Sequence, residues 1–267
     1  MENISLYFKE ISNSTNMCLI ENDLVSDYIA ANNIWEPHLH FFYSNFIKKD
    51  FIIIDGGANI GSHTINFAKL AYEGKTYAFE PQNIIFNVLS TNILINGLSD
   101  IVCQYRLGLG DSMSYLNLSP IEEQYFGNSM INWGGRGLLQ ESAEDGDVQI
   151  ITIDSLNLSK LDLIKLDVQG MERKTIDGGN NSINKFKPIL IIEAGISSAS
   201  KFFRENGPVL SSNNVELFDL LKGWGYMPFQ ISSDKNYFFG DTIFLHEDKH
   251  KAEIDFIRTQ KLYNYLN

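Results

Sequence analysis

Four carboxylates stand directly after short runs of apolar residues, and this placement is the main chemical signal in the chain. Asp55, Glu80, Asp167 and Glu193 each follow a run of the kind that forms a buried strand. A carboxylate without a partner is costly at the end of an apolar strand. Open parallel sheets bind their ligands beyond the carboxyl ends of the strands. The four acids therefore predict a binding site at that end of a sheet.

A glycine-rich loop follows the first of these strands. It reads Asp55-Gly-Gly-Ala-Asn-Ile-Gly61 and precedes a helical stretch. Glycine allows a tight turn and lets a ligand approach the backbone, and an asparagine such as Asn59 also tolerates the left-handed region. The N-terminus of the following helix favours a negative group such as a carboxylate. Because no Gly-Lys-Ser/Thr follows the loop, a P-loop for nucleoside triphosphates is disfavoured.

Glu80, at the end of the next strand, completes the pattern of a ribose-binding site. Its carboxylate can accept hydrogen bonds from two ribose hydroxyls. Enzymes that use NAD and enzymes that use S-adenosylmethionine share this arrangement. The residues alone therefore predict a ribose-containing cofactor, with both cofactors and their reactions open.

The elements that position these residues alternate between strand and helix. Strands are predicted at 51–54, 76–79, 101–107, 148–153, 161–166 and 188–192, and helices at 38–48, 64–72, 84–95, 172–183 and 215–222. Continuous apolar strands between helices indicate an α/β fold whose parallel sheet is buried on both faces. Two further strands, at 226–231 and 242–245, are joined by a short loop and are predicted to form an antiparallel pair.

At this point the sequence resembles the FkbM-type S-adenosylmethionine-dependent methyltransferases. The resemblance covers about residues 20 to 247. It rests on the glycine loop, on Tyr77-Ala-Phe-Glu80-Pro81, on Asn92-Ile-Leu-Ile-Asn96-Gly97, on Asp162-Leu-Ile-Lys165-Leu-Asp167-Val-Gln-Gly170-Met-Glu172 and on Pro188-Ile-Leu-Ile-Ile-Glu193. It implies the three-layer, Rossmann-like class I methyltransferase fold, with a mostly parallel seven-stranded sheet and a C-terminal antiparallel strand pair. It also implies O-methylation of sugars, polyketides and related small molecules.

The resemblance implies a set of cofactor-binding residues. The glycine loop would line the methionine part of S-adenosylmethionine, Glu80 would hold the ribose, and the turn at 107–111 would lie near the adenine. The set is Glu36, Asp55, Gly56, Gly57, Ala58, Asn59, Gly61, Glu80, Pro81, Gly108 and Asp111. One position departs from the family, because Gln169 stands where its members usually carry an acid.

Methyl transfer to a hydroxyl needs an aligned acceptor and benefits from a general base. Lys165 and Asp167 are two residues apart on one strand and therefore face the same side. We predict that Asp167 positions or deprotonates the acceptor, followed by Glu172 and Glu193, with His63 as a neutral base near the cofactor. The alternative is a structural pair of Lys165 and Asp167, with Glu172 as a helix cap and His63 as a packed side chain.

The predicted organisation has three parts: an N-terminal accessory segment (1–49), a methyltransferase domain (50–247) and a C-terminal tail (248–267). Within the domain, the polar insert at 119–147 is a candidate substrate lid. Its substrate-binding candidates are Tyr125, Phe126, Asn128 and Trp133. We find no spacing typical of a metal site, although a divalent metal held by carboxylates stays open as a second cofactor.

The formal net charge of −12 over 267 residues limits the partners. An acidic surface disfavours nucleic acid and anionic membranes, which leaves a small-molecule or glycan acceptor. An RNA 2′-O-methyltransferase and a catalytically inactive S-adenosylmethionine-binding module remain the alternatives, and an NAD dehydrogenase is less favoured because no separate substrate domain is present. The sequence has neither a secretory signal nor an apolar run long enough for a membrane helix, so we expect a cytoplasmic protein.

Overall fold

The fold is taken from a computed structural model of the chain. It describes residues 4–120, 131–139, 146–193, 212–231, 240–260 and 263–265. None of the helices in these ranges is long and apolar enough to cross a membrane.

A central sheet carries the fold. Its strands, in chain order, are β3 (Ile52–Gly56), β4 (Lys75–Phe79), β5 (Val102–Tyr105), β9 (Leu163–Leu166), β10 (Ile189–Glu193), β11 (Tyr226–Ile231), β12 (Asp241–His246) and β13 (Tyr263–Tyr265). In space the order is β13-β11-β12-β10-β9-β3-β4-β5. The five strands from β10 to β5 pair in parallel, whereas β12 pairs antiparallel with both β10 and β11. The predicted parallel sheet with its antiparallel pair is confirmed.

Helices cover both faces of this sheet and make three layers. One face packs against α2 (Pro37–Phe46), α3 (Ser62–Leu70), α4 (Asn83–Ile95) and the C-terminal α8 (Lys251–Gln260). The other face packs against α5 (Glu172–Asp177), α6 (Asn180–Phe186) and α7 (Ser212–Gly223). Strand side chains alternate between the two cores, so that Ile53 lies on the first face and Ile54 on the second.

The N-terminal segment forms a hairpin and a helix that pack outside α3 and α4. The hairpin joins β1 (Leu6–Ile11) to β2 (Thr15–Ile20), and α1 (Leu24–Asn32) follows. Asn92 on α4 ties the hairpin down, because its buried side chain accepts a hydrogen bond from the Cys18 N–H and donates to the carbonyls of Cys18 and Ile60. The motif around Asn92 therefore has a structural use that joins hairpin, helix and glycine loop.

The structure corrects the predicted helix at 172–183, which is two helices. The chain breaks at Gly178, where a Cβ atom would lie only 1.9 Å from the carbonyl oxygen of Gly110. After the break, the carboxylate of Asp154 accepts hydrogen bonds from the N–H groups of Asn181 and Ser182 and caps α6.

Two further differences concern strands. The predicted strand at 148–153 is β8 (Val148–Ile151), which leaves the main sheet and forms a small sheet with β6 (Gly108–Leu109) and β7 (Ser114–Leu116). The predicted tail contributes α8 and also β13, which adds an eighth strand at the edge of the main sheet beside β11.

Candidate active site

The carboxyl ends of β3, β4 and β9 border an open pocket of about 520 Å³. Six residues predicted for cofactor binding or catalysis line it: Gly57, Asn59, Glu80, Pro81, Gly108 and Asp167. Leu107 and Leu109 also line it and belong to the turn at 107–111 that was predicted near the adenine, and Gly134, Arg136 and Leu138 belong to the insert predicted as a lid. The sequence analysis gave no binding role to the other described lining residues, which are Phe79, Gln82, Val168 and Gln169. The site therefore lies where the strand-end acids predict it.

The glycine loop packs against the end of β9. Gly57 has φ +77°, and a Cβ atom there would lie 1.8 Å from the carbonyl oxygen of Asp167. Asn59 also has a left-handed φ of +50°, in agreement with its predicted tolerance for that region. Only glycine allows the Gly57 backbone to approach the Asp167 backbone this closely.

Glu80 holds the loop from the neighbouring strand. One of its carboxylate oxygens accepts the N–H of Asn59 at 3.0 Å, and the other accepts the N–H of Gln82 at 2.9 Å. Burial raises the pKa of Glu80 to about 7. Pro81 and Gly108, both predicted for the cofactor, line the same pocket.

The remaining loop residues support the pocket without lining it. Gly56 accepts the N–H of Asp167, Ala58 donates to Phe79, and Gly61 begins α3 with a φ of +94°. Asp111, predicted near the adenine, is exposed and contacts Ser112 instead.

Asp55 is fully buried beneath the loop. Its Oδ2 accepts the hydroxyl of Thr64 at 2.5 Å, and its Oδ1 has no hydrogen-bond partner among the described residues. In the register of β3 and β9, Asp55 stands beside Lys165. Lys165 on β9 therefore brings a buried positive charge beside the Asp55 carboxylate.

Lys165 is 2% exposed and lies at the centre of the strand-end acids. Its Nζ is 3.5 Å from the Oδ2 of Asp167. Burial alone would lower the pKa of Lys165, but the charges of Asp167, Asp55 and Glu36 raise it above its ordinary value. Lys165 is therefore a permanent cation in the interior of the site.

Asp167 and Glu193 share the side chain of Gln169. The Gln169 amide donates to the Oδ1 of Asp167 at 2.6 Å and to the Oε2 of Glu193 at 3.3 Å. Burial opposes ionisation of Asp167, but the Lys165 charge and the hydrogen bonds from Glu193 and Gln169 together lower the pKa of this carboxyl. Burial and the Asp167 charge raise the pKa of Glu193. The amide at position 169 thus donates where a carboxylate could only accept.

Glu172 serves the turn that follows β9. Its Oε1 accepts the N–H groups of Val168 at 3.0 Å and of Gly170 at 3.3 Å. Burial raises its pKa, although these donors oppose the shift. Both N–H groups belong to the turn before α5, so these contacts leave the helix-cap alternative for Glu172 a prediction.

Glu36, predicted among the cofactor-binding residues, does not line this pocket, although its charge acts on Lys165. It begins α2 with a left-handed φ of +47°, and its Oε2 is 2.9 Å from the Nε2 of the buried His63. The Nδ1 of His63 is 3.3 Å from the hydroxyl of Tyr43. Sequence analysis treated Glu36 and His63 separately, and the structure joins them.

The insert contributes one wall of the pocket through residues 134–138. The Oδ1 of Asp23, which precedes α1, accepts the N–H of the buried Trp133 at 3.3 Å. Gly134 packs so closely on Asn59 that a Cβ atom would lie 2.2 Å from its Nδ2. The substrate candidates Tyr125, Phe126 and Asn128 lie outside the described residues.

A second cavity, of about 560 Å³, lies between the N-terminal hairpin, α1 and α3. Its wall includes Ser62, Trp35, His40, Asn66 and Lys69. Trp35 and Ser62 are the chain neighbours of Glu36 and His63. No described residue lines both cavities, so this one is separate from the pocket at the strand ends. Among the described residues, no group of His, Cys, Asp and Glu could hold a metal ion.

Comparisons with known proteins find methyltransferases. The family model of the methyltransferase FkbM domain matches residues 55–228. Methyltransferase sdnD of Sordaria araneosa is 26% identical over 193 residues, which are 60% of this chain and 74% of that protein. Hexuronic acid methyltransferase AglP of Haloferax volcanii is 24% identical over 150 residues, which are 56% of this chain and 59% of that protein.

The fold also matches a solved structure. The crystal structure of methyltransferase FkbM from Methylobacillus flagellatus aligns with a TM-score of 0.50 and 15% identity, over 79% of this chain. The chain spans about half of that structure, 48% of its length. At this identity the likeness concerns the fold.

Two glycines test the contact between the loop and β9. Gly57→Ala adds strain at a positive φ, about 1–2 kcal/mol, and forces a Cβ atom onto the Asp167 carbonyl. Gly97→Ala is the control, since its φ is +68° but no atom lies within 4 Å of the new Cβ. Overpacking should make Gly57→Ala about 2 kcal/mol more destabilising than the control in urea unfolding. Equal losses would contradict the contact.

Proposed function

The chain belongs to the FkbM methyltransferase family, and from that premise we propose that it transfers a methyl group from S-adenosylmethionine to a hydroxyl of a sugar or a similar small polar acceptor. One observation carries the proposal: the pocket at the ends of β3, β4 and β9 continues at Asp167 into a group of acids that surround a single buried lysine. That arrangement offers a cofactor site beside a group of four acids, Asp167, Glu193, Asp241 and Glu36, which we call the mouth of the site.

The residues present fit this cofactor. Gly57 and Asn59 form a glycine cradle for its methionine part, Glu80 offers a buried carboxylate to its ribose, and Leu107 and Leu109 offer apolar contact to its adenine. When bound, the cofactor supplies an electrophilic methyl group on a cationic sulfur. The Asp167 carboxylate, ionised through Lys165, favours a positive charge at that end of the pocket.

The acceptor side of the site is built by the N-terminal segment. The second cavity combines the ring of Trp35 with the polar groups of His40, Asn66 and Ser62, a mixture typical of sites for polar ligands. It adjoins the Glu36–His63 pair through consecutive residues of the chain. We place the remote part of a sugar acceptor there. The likeness to a hexuronic acid methyltransferase supports a sugar acceptor.

The acids at the mouth argue against an RNA acceptor. Asp167 is ionised beside Lys165 and would repel the phosphodiester backbone at close range, as would the charge of Asp241. A neutral hydroxyl suffers no such repulsion. The role of this chain's residues is then to align the acceptor with the methyl group and to exclude water during an in-line displacement.

Glu80→Gln tests the donor site. Loss of a charged hydrogen-bond acceptor costs about 1.5–3 kcal/mol, so binding of S-adenosylhomocysteine should weaken about 10- to 100-fold in isothermal titration calorimetry. Glu73→Gln is the matched control, because Glu73 is exposed and pairs only with Lys49 among the described ion pairs. Wild-type affinity in Glu80→Gln, or binding of NAD in place of S-adenosylhomocysteine, would contradict the donor assignment.

Product analysis tests the acceptor. The wild-type protein is incubated with methyl-labelled S-adenosylmethionine and a panel of hexuronic acids, neutral hexoses, short oligosaccharides and an RNA oligonucleotide. We expect label in an alkali-stable methyl ether of a sugar, located by mass spectrometry. An alkali-labile methyl ester would contradict transfer to a hydroxyl, and label in the RNA would contradict the sugar acceptor.

A further inference from the structure

Glu36 occupies a conformation that its helix does not need. It precedes the first residue of α2, Pro37, in the left-handed region at φ +47° and ψ +64°, where non-glycine residues are uncommon. At such a position the side chain can cap the helix, but the Glu36 carboxylate makes no capping hydrogen bond. It turns instead toward His63, so the local geometry serves the site.

His63 and Tyr43 fix which groups donate in this chain of contacts. Burial lowers the pKa of His63 to about 4, so the imidazole is neutral and carries a single N–H. Burial raises the pKa of Tyr43, which therefore keeps its hydroxyl proton and can donate it to the Nδ1 of His63. The His63 proton then lies on Nε2 and is donated to the Oε2 of Glu36.

The charges around Glu36 come from every element packed on it. Asp241 on β12 and Asp167 after β9 repel its charge, Lys165 on β9 and His38 on α2 attract it, and the neutral His63 on α3 donates a hydrogen bond to it. Burial and the two aspartates prevail and raise the pKa of Glu36 to about 8. A base is most effective when its pKa lies near the working pH.

The other acids at the mouth are less suited to accept a proton. Asp167 is held ionised by Lys165 and receives a hydrogen bond from Gln169 at 2.6 Å, and both contacts lower its basicity. The raised pKa of Glu193 keeps its carboxyl protonated beside Asp167. Glu172 is occupied by the turn at Val168 and Gly170. The Glu36 side chain is 24% exposed, and it is close enough to Lys165 and Asp167 for both charges to act on it.

We propose that the Glu36 carboxylate removes the proton from the acceptor hydroxyl, and that His63 and Tyr43 position it for this step. The inference rests on the proposed O-methyl transfer. The O–H proton passes to Glu36 while the oxygen electron pair forms the new bond to the methyl carbon. The carbon–sulfur bond breaks with its electrons going to sulfur, which becomes neutral. Glu36 afterwards releases the proton to water.

The pH dependence of kcat, with the best acceptor from the product screen, tests the base. Wild-type kcat should rise with pH and level off above about pH 8, because the ionised form of Glu36 is the active one. Glu36→Gln should lower kcat about 10²- to 10⁴-fold, the usual contribution of a general base. It should also abolish the rise of kcat with pH, which is the limb of the pH profile that reports the base. Unchanged kcat with the limb intact would overturn the proposal.

Tyr43→Phe tests the positioning role separately. Without the hydroxyl, His63 can carry its proton on Nδ1 and cease to donate to Glu36, so the limb should move to higher pH. Tyr72→Phe is the matched control, because Tyr72 is 57% exposed and should leave the limb in place. A limb that stays at its wild-type position in Tyr43→Phe would overturn the role of the tyrosine.

Binding of S-adenosylhomocysteine distinguishes failure of the Glu36 assignment from failure of the proposed function. Glu36→Gln should bind it with wild-type affinity, because Glu36 lies outside the cofactor pocket, and this also shows that the variant is folded. Weakened binding would mean that Glu36 supports the donor site, which would overturn its assignment as the base. Absence of methyl transfer by the wild-type protein to any hydroxyl would instead refute the proposed function on which the inference rests.

Discussion

The buried ammonium group of Lys165 is the interaction on which the site depends. The lysine lies on β9 between Asp55 on β3 and Ile191 on β10, and only 2% of it is exposed. An isolated buried charge costs several kcal/mol. The surrounding carboxylates offset this cost, and Asp167 in turn is ionised with the help of the lysine. This mutual dependence explains why acids follow so many of the apolar strands.

The same cation separates the acids into different protonation states. Asp167 touches the lysine and is ionised, whereas Glu193, which shares Gln169 with it, keeps a proton. Glu36 lies between these extremes because Asp241 and Asp167 oppose the attraction of Lys165. One buried charge thus allows similar carboxyl groups to serve as a fixed anion, a hydrogen-bond donor and a base. Such separation of pKa values is typical of acid–base sites.

The sheet, the glycine loop and the strand-end acids could be predicted because each has a local signal. Apolar runs mark β3, β9 and β10. The loop has glycine at position 57, where a Cβ atom would lie 1.8 Å from the carbonyl oxygen of Asp167 at the end of β9. The partnership of Glu36 and His63 could not be read in this way. It joins residues 27 positions apart through a side-chain contact that has no periodicity. Its only local trace is the unusual backbone of Glu36, which sequence does not reveal.

The contribution of the N-terminal segment was missed for the same reason. Asn92 was recognised as part of a motif, but its hydrogen bonds to Cys18 and Ile60 depend on the N-terminal hairpin. The strands of that hairpin are short and of mixed polarity, so the sequence pattern does not predict them. Asp23, similarly, reaches Trp133 across 110 positions and holds one wall of the pocket. The division into accessory segment, domain and tail remains a prediction. The structure adds that the accessory segment contributes the second cavity and Glu36 itself.

Replacing the central lysine tests this account most directly. Lys165→Met leaves Asp55 and Asp167 buried without a cation, so urea unfolding at pH 7 should show a loss of about 3–5 kcal/mol. The loss should shrink as pH falls, because these carboxyls can then take up protons in the folded variant. Lys160→Met, at a surface ion pair, should cost at most about 1 kcal/mol. A Lys165→Met variant as stable as the wild-type protein at both pH 7 and pH 5 would contradict the account.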